Sequence, residues 1–371
     1  MKKIFIIFIA LFLFIPLVSF AQEKDNKKND EVFKASVQQI LEEKDGVRED
    51  GSKSIQQKIK LRGLEGSWKN KEIVFDGTEI DLLSASRYKQ GDLVLINYSP
   101  GPEGEDNFYI VGYSRSSSIF WLTLLFVLVV IVVGRLKGFR SLFVLLLTFL
   151  IILQFIIPKI LAGGNPLVIS IFGSFIILVL SVYITEGFKK TSTIVIAAMI
   201  ISLIITGLIS YWFTGLTKLT GFASEESMFL MGLAGGNLNV QGLLLAGIII
   251  GSLGVLDDIV ISQVIVVEEF KHSNENLTNM QVYSKAMKVG ISHLSSMVNT
   301  LFLAYAGASL PLLILFSVKQ APFYTFSQVI DNEMIATEIV RTLAGSIGLV
   351  LAIPIATLLA VKFIDKKTLA K

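Results

Sequence analysis

Residues Gly247 to Gln263 read GIIIGSLGVLDDIVISQ. Two carboxylates, Asp257 and Asp258, stand in an apolar run with no cation among them. A carboxylate at the centre of a bilayer costs about 2.5–3.5 kcal/mol on insertion scales, so the pair needs a reason to be there. Gly247, Gly251, Gly254, Asp258 and Ser262 follow one another at intervals of 4, 3, 4 and 4 residues. That spacing puts them on one face of a helix. Small residues on such a face allow another helix backbone to approach closely, so the pattern predicts that Asp258 faces the bundle and not lipid. Asp257 lies about 100° away and faces a neighbouring helix or a cavity.

The same apolar character recurs through the chain. Hydrophobic residues make up 53% of the 371 and charged residues 17%, well under the usual quarter of a soluble domain. Several runs reach the roughly 20 residues needed to cross a hydrocarbon core of about 30 Å. Spans are predicted near 118–135, 141–158, 166–186, 192–214, 241–267, 290–317 and 341–363. The loops RLKGFR and GFKKTS, the segment 268–289 and the tail KFIDKKTLAK carry most of the cations, whereas the opposite loops offer Lys159, Lys218 and Lys319. Basic loops stay on the cytoplasmic side. The expected topology is seven spans, with the C-terminus inside a bacterial plasma membrane and the segment before the first span outside.

The N-terminus agrees with that orientation. MKKIFIIFIALFLFIPLVSFAQ has a basic start, an apolar core and small residues at Ser19 and Ala21. It reads as a signal peptide over 1–21, with an uncleaved anchor as the competing reading. Residues 22–34 form a charged spacer. The outer domain is assigned to 35–115; within the polar region 22–115, EVFKASVQQI, SIQQKIKLRG, KEIVFDGTEI, DLVLINYSP and NFYIVGYSR alternate polar and apolar positions. Turn signals separate them at Asp50-Gly51, Asp76-Gly77, Gln90-Gly91 and SPGPEGED. Five short strands suggest a small OB-type barrel outside the membrane. The region 116–371 is then the transmembrane domain.

Some chemistries are excluded and others are not supported. There is no cysteine, so there is no disulfide, thiolate nucleophile or cysteine anchor. No zinc spacing, nucleophile elbow or phosphate loop occurs, and two adjacent aspartates on one helix diverge, unlike a paired aspartyl dyad. No enzyme and no cofactor are expected. Basic stretches are not interleaved with aromatics, so nucleic acid is not an expected partner.

The sixth expected span carries the other half of a candidate site. In GISHLSSMVNTLFLAYAGASLP, Ser292, Ser295 and Asn299 share one face, and His293, Ser296 and Thr300 the next. Helix rise places Asp258 and Asn299 each about 13 Å from the same end of their spans, level enough for one polar site. Candidate ion or proton relay residues are Asp257, Asp258, Ser262, Ser295, Asn299 and Thr300. Secondary candidates are His293, which also reads as a packed histidine near an interface, and Glu338 with Arg341, one turn apart, which also read as an interfacial anchor. The aspartates themselves could serve only to hold helices together.

Three segments, GIIIGSLGVLDDIVISQ, GISHLSSMVNTLFLAYAGASLPLLILF and EIVRTLAGSIGLVLAIPIATLL, resemble the YibE/F-like family of bacterial membrane proteins, over about 35–371. The resemblance implies a multi-pass, permease-like protein and leaves the solute open. An acidic span, an amphipathic loop and a Ser/Thr/Asn-rich span are also distantly similar to one half of the SecD/SecF and RND-type exporters. There the similarity would make Asp257 and Asp258 a proton relay, with Ser295, Asn299 and Thr300 lining it. The large domain such exporters carry between their first two spans is absent. The expected function is a transporter coupled to protons or cations, taking a small solute, set in the lipid bilayer and paired with a second copy of itself. The alternative is a membrane-anchored binding or scaffold protein that presents its outer barrel.

Overall fold

A computed structural model describes residues 30–47, 53–83, 87–101, 105–223, 225–233, 238–274, 276–318 and 324–365. The signal peptide, the Asp50-Gly51 turn signal and Lys319 lie outside them. The chain divides into two units, 1–133 and 134–371.

The first unit holds strands β1 Glu31–Val47, β2 Lys53–Gly63, β3 Glu72–Leu83, β4 Leu93–Pro100 and β5 Asp106–Tyr113. They form one antiparallel sheet in the order β3-β2-β1-β4-β5. β1 is long enough to serve both halves: residues 31–36 pair with β4 and residues 35–47 with β2. Two register shifts, after Val37 and after Ile40, bend it, as bulges do. The outer strands β3 and β5 thereby approach each other, and the sheet curls into a half-barrel. The alternation seen in the sequence becomes its interior: Phe33, Ala35, Val37, Ile59, Leu61, Ile73, Phe75, Val94 and Ile96 are all buried. β1 begins at Glu31, inside the expected spacer.

Asp76-Gly77, expected as a turn, lies instead within β3. Asp76 bonds Lys58 across the sheet at 2.7 Å, and a side chain at 77 would sit 2.7 Å from the Gln57 carbonyl oxygen. Glycine is there because two backbones approach closely. Gln57 is fully buried and pins the irregular segment before β4: its amide donates to the Tyr88 carbonyl at 3.0 Å and accepts from the Tyr88 N–H at 2.9 Å.

Helices follow. α1 is Ser116–Ile151, broken at Arg135, whose φ of 49° and ψ of −128° are not helical. A π-turn, Ile152–Ile156, leads into α2, Ile157–Leu161. Then come α3 Pro166–Glu186, α4 Lys190–Leu216, α5 Glu225–Leu233, α6 Val240–Ser273, α7 Asn279–Ala308, α8 Leu310–Ser317, α9 Phe326–Ile330 and α10 Glu333–Phe363. Five helical stretches among the described residues are long and apolar enough to cross a membrane: 116–161, 166–186, 190–216, 240–273 and 333–363. The 46-residue stretch 116–161 contains two helical segments that meet at Arg135, and the first two expected spans, 118–135 and 141–158, fall on either side of that break. The sixth is divided at Ser309, just ahead of Pro311. The last begins at Glu333, eight residues before its expected start.

In the second unit, α6 packs against α3, α4, α7 and α10, and α4 against α10. Polar groups pin both ends of this arrangement. At one end Glu333 accepts from the backbone of Thr220 and Gly221, and Gln241 donates to the Leu219 carbonyl. At the other, the Lys271 ammonium is buried and donates to the Val361 and Ile364 carbonyls at 2.6 Å each. Those are carbonyls of the last turn and the C-cap of α10, which a cation satisfies. Lys190 and Asp365 pair at this end too, at 2.5 Å, and that pairing holds the Asp365 carboxyl below its ordinary range. α6 therefore runs parallel to α10, and α4 runs antiparallel to both.

Hydroxyls and glycines make the seam between α4 and α10. Ser202, Thr206, Ser210 and Thr214, four apart on α4, are all buried. The first three return their hydroxyl protons to carbonyls one turn back, so they present little polarity to their neighbour. Thr206 then packs onto Gly348, where any side chain would overlap its hydroxyl.

Candidate functional site

α6 sits among four helices and so exposes each of its faces to a different environment. Asn239 caps its start, accepting from the Gly242 N–H at 2.8 Å. Eighteen residues on from Asn239, Asp257 turns toward α3. Ser181 donates to Asp257 Oδ2 at 3.3 Å, while Oδ1 is buried without a hydrogen-bond partner. Ser170 and Ser174 lie on the same side of α3 as Ser181, buried, with hydroxyls that find no partner. No Lys, Arg or His pairs with Asp257 among the described residues. The locus is thus a carboxyl group with unspent hydrogen-bonding capacity in a largely apolar bundle. Such groups mark ion or proton paths more often than packing.

Asp258 is on a different face. It is exposed, as are Gly247, Gly251 and Gly254 on the same stripe, and Ser262 is half-buried. The expected approach of a second backbone onto this glycine face is not seen among the described residues: a side chain built at Gly247 or Gly254 meets nothing within 4 Å, and one at Gly251 meets the Tyr305 hydroxyl at 3.7 Å. The two aspartates diverge: Asp257 enters the α3 interface and Asp258 does not.

α7 turns its apolar side inward. Val282, Ala286 and Gly290 are buried, and Leu294, Met297 and Val298 continue that side against the core. Gln263 of α6 fixes the crossing, donating to the Ala286 carbonyl at 3.0 Å and the Thr357 hydroxyl at 2.7 Å. The polar residues consequently point away. His293, Ser295, Asn299 and Thr300 are exposed, and the Thr300 hydroxyl donates to its own helix at Ser296. No hydrogen bond joins Asp257, Asp258 or Ser262 to Ser295, Asn299 or Thr300 among the described residues. The level, shared site expected from helix rise is not assembled within one chain, because an axial estimate says nothing of which way α7 is rotated.

Glu338 and Arg341 are brought together. Arg341 donates to Glu338 Oε1 at 2.7 Å, and both are half-buried. They line a cavity of about 430 Å³ between the starts of α6 and α10 and the α7–α8 junction. The residues that spacing overlooked are Ser170, Ser174 and Ser181. Their i, i+4, i+11 interval on an apolar helix was the available signal. Among the described residues no cluster of three or more His, Asp or Glu could hold a metal ion.

The model of the family described as YibE/F-like protein matches residues 122–366, about two thirds of the chain. The chain belongs to that family, and the match covers the helices, not the sheet. No curated protein and no solved structure matches.

Proposed function

We propose that this YibE/F-like membrane protein is a transporter coupled to a proton or cation, with Asp257 as the group that takes and releases the ion. The observation that carries this reading is the buried, unpartnered Oδ1 of Asp257 beside the hydroxyls of α3. A carboxylate with no cation of its own calls for one from outside, a proton or a small ion, and serines supply neutral ligands at the same place. One charge moved through 100 mV releases about 2.3 kcal/mol, which can drive a solute. The helices lie in a bacterial plasma membrane as seven spans, the sheet domain outside and the C-terminus inside. The chain carries out no covalent chemistry. Asp258 and the exposed polar face of α7 become part of a path through apposition with a second copy.

The competing reading, a membrane-anchored binding or scaffold protein with structural aspartates, is favoured by the Ser181–Asp257 hydrogen bond. Such bonds join membrane helices for about 0.6–2 kcal/mol. Proton flux in proteoliposomes separates the two. Wild type is expected to dissipate an imposed pH gradient when the right solute is supplied from a panel of cations and small metabolites. Asp257→Asn, inserted and folded, is expected to lose at least about nine-tenths of that flux. Equal flux in the variant would leave the carboxylate a structural role.

A further inference from the structure

The outer surface of the sheet domain has two unlike halves. Over β1, β2 and β3 it is crossed by ion pairs: Lys34 with Glu65 at 3.0 Å, Lys58 with Asp76 at 2.7 Å and Lys60 with Glu72 at 2.8 Å. Over β4 and β5 there is no charge at all in residues 93–99 and 107–111. Val94 and Ile96 point inward and are buried, so Leu93, Leu95 and Asn97 point outward. Beside them Tyr109 is 51% exposed and Val111 65%, and Leu93 itself is 37% exposed. Val32 of β1, 63% exposed, extends the patch, because Val32 pairs with Asn97 and Asn97 with Tyr109. An exposed apolar patch rimmed by polar residues marks an interaction surface.

The chain indicates what lies beside it. β5 passes into α1 without a free linker. The Ser114 N–H donates to the Leu93 carbonyl at 2.7 Å and the Ile119 N–H to the Arg115 carbonyl at 3.0 Å, so sheet bonding ends one residue before helix bonding begins. Residues 119–134 carry no charge and rise about 24 Å, most of a hydrocarbon core of about 30 Å. The edge of that core therefore lies close to Ile119. Two extended residues and most of a helical turn are all that separate Leu93 from Ile119, about 12 Å at most. Arg115 is exposed between them, placed as cations are that reach to the interface from a helix end.

We infer that the sheet domain lies along the bilayer surface on its β4–β5 outer face, with Val32, Leu93, Tyr109 and Val111 against lipid and the ion-paired half turned to water. Upright strands would bring only the Leu93 end to the membrane. Tyr109, seven residues before α1, would then stand up to about 23 Å away. The uncharged patch instead runs the length of both strands, as strands laid along the surface require. Tyrosine, apolar in its ring and polar at its tip, suits that boundary. The inference rests on α1 crossing a membrane and not on the coupling of Asp257 to an ion.

The cysteine-free chain allows a direct test. Val111→Cys, Leu93→Cys and, as the control, Val74→Cys each supply one thiol. Val74 is an exposed valine of β3, on the ion-paired half. Each thiol is labelled with bimane, and the full-length protein is placed in nanodiscs with or without phosphatidylcholine brominated on its acyl chains near the headgroup. Bromine quenches on contact. Quenching at Val111 and Leu93 is expected to exceed that at Val74 several-fold. Should Val111→Cys not give a monodisperse protein, Tyr109→Cys replaces it. Quenching at Leu93 alone would mean that the strands stand upright, and would overturn the inference. So would an unquenched label at Val111, whether it lies in water or is shielded by a second copy or another protein, and so would equal quenching at Val74.

Discussion

Asp257 and Asp258 differ by one position and meet different neighbours: one bonds a serine of α3, the other is exposed. A helix turns 100° per residue, so adjacent acids cannot share an environment. The sheet domain gives a charged residue whose surroundings act through pH. Asp76 accepts from Lys58 and from Thr78, and the Lys58 bond above all holds its carboxyl down at about 2, against an ordinary 3.8. A carboxyl group depressed by folding contributes stability that is present above the ordinary value and is lost as pH falls through the folded one. With Trp121→Phe and Trp212→Phe, Trp68 is the sole tryptophan and reports this domain, where it packs on Phe33, Tyr98 and Phe108. The thermal midpoint read by its fluorescence should fall between about pH 4 and about pH 2. Asp76→Asn should lower the midpoint at neutral pH and flatten that fall; an identical fall in the variant would show the acid limb arises elsewhere. At this scale the sequence was half legible. Asp257 is conspicuous because charge in an apolar run is visible in one dimension. Ser181 is not, because nothing in a linear chain says that it meets a residue 76 positions later.

Elements were read better than their rotations. Alternation located all five strands, since a period of two survives without knowledge of partners. The apolar runs located α3, α4, α6 and α10, with starts in error by up to eight residues where polar first turns precede the apolar run. What could not be read was how α7 turns about its axis. Its inner side is set by Val282, Ala286 and Gly290 against Gln263 and Ile353, and these lie partly before the expected span. The α4–α10 seam was missed for a related reason: Thr206 and Gly348 look ordinary until they are face to face. Gly348→Val should drive a side chain into Thr206 and destabilise the helical unit by about 1–3 kcal/mol. Unfolding in detergent measures this, and Thr206→Ala combined with Gly348→Val should recover part of the loss. Additive losses in the double variant would mean the two residues do not share the contact.

For the whole molecule, the account depends on water or ions reaching Asp257. The chain carries a half-barrel sheet and a set of helices whose exposed surface is rich in Leu, Ile, Phe and Trp. Among the described residues, hydroxyls, glycines, the Gln263 amide and the Lys271 ammonium lie within, and Asp257 and Glu338 are half-buried. Composition made the membrane class plain, because an excess of apolar surface needs no fold to be counted. It left the path invisible, since a path is made of faces from several helices. The most direct measurement places one thiol beside the carboxylate. Ser181→Cys, in sealed vesicles and otherwise cysteine-free, is exposed to a small, charged methanethiosulfonate from one side and then the other. The account predicts reaction from at least one side, slowed when the coupling ion or solute is present. A thiol that reacts from neither side, in a protein that remains folded, would show Asp257 sealed in packing and would contradict the proposal that it carries an ion.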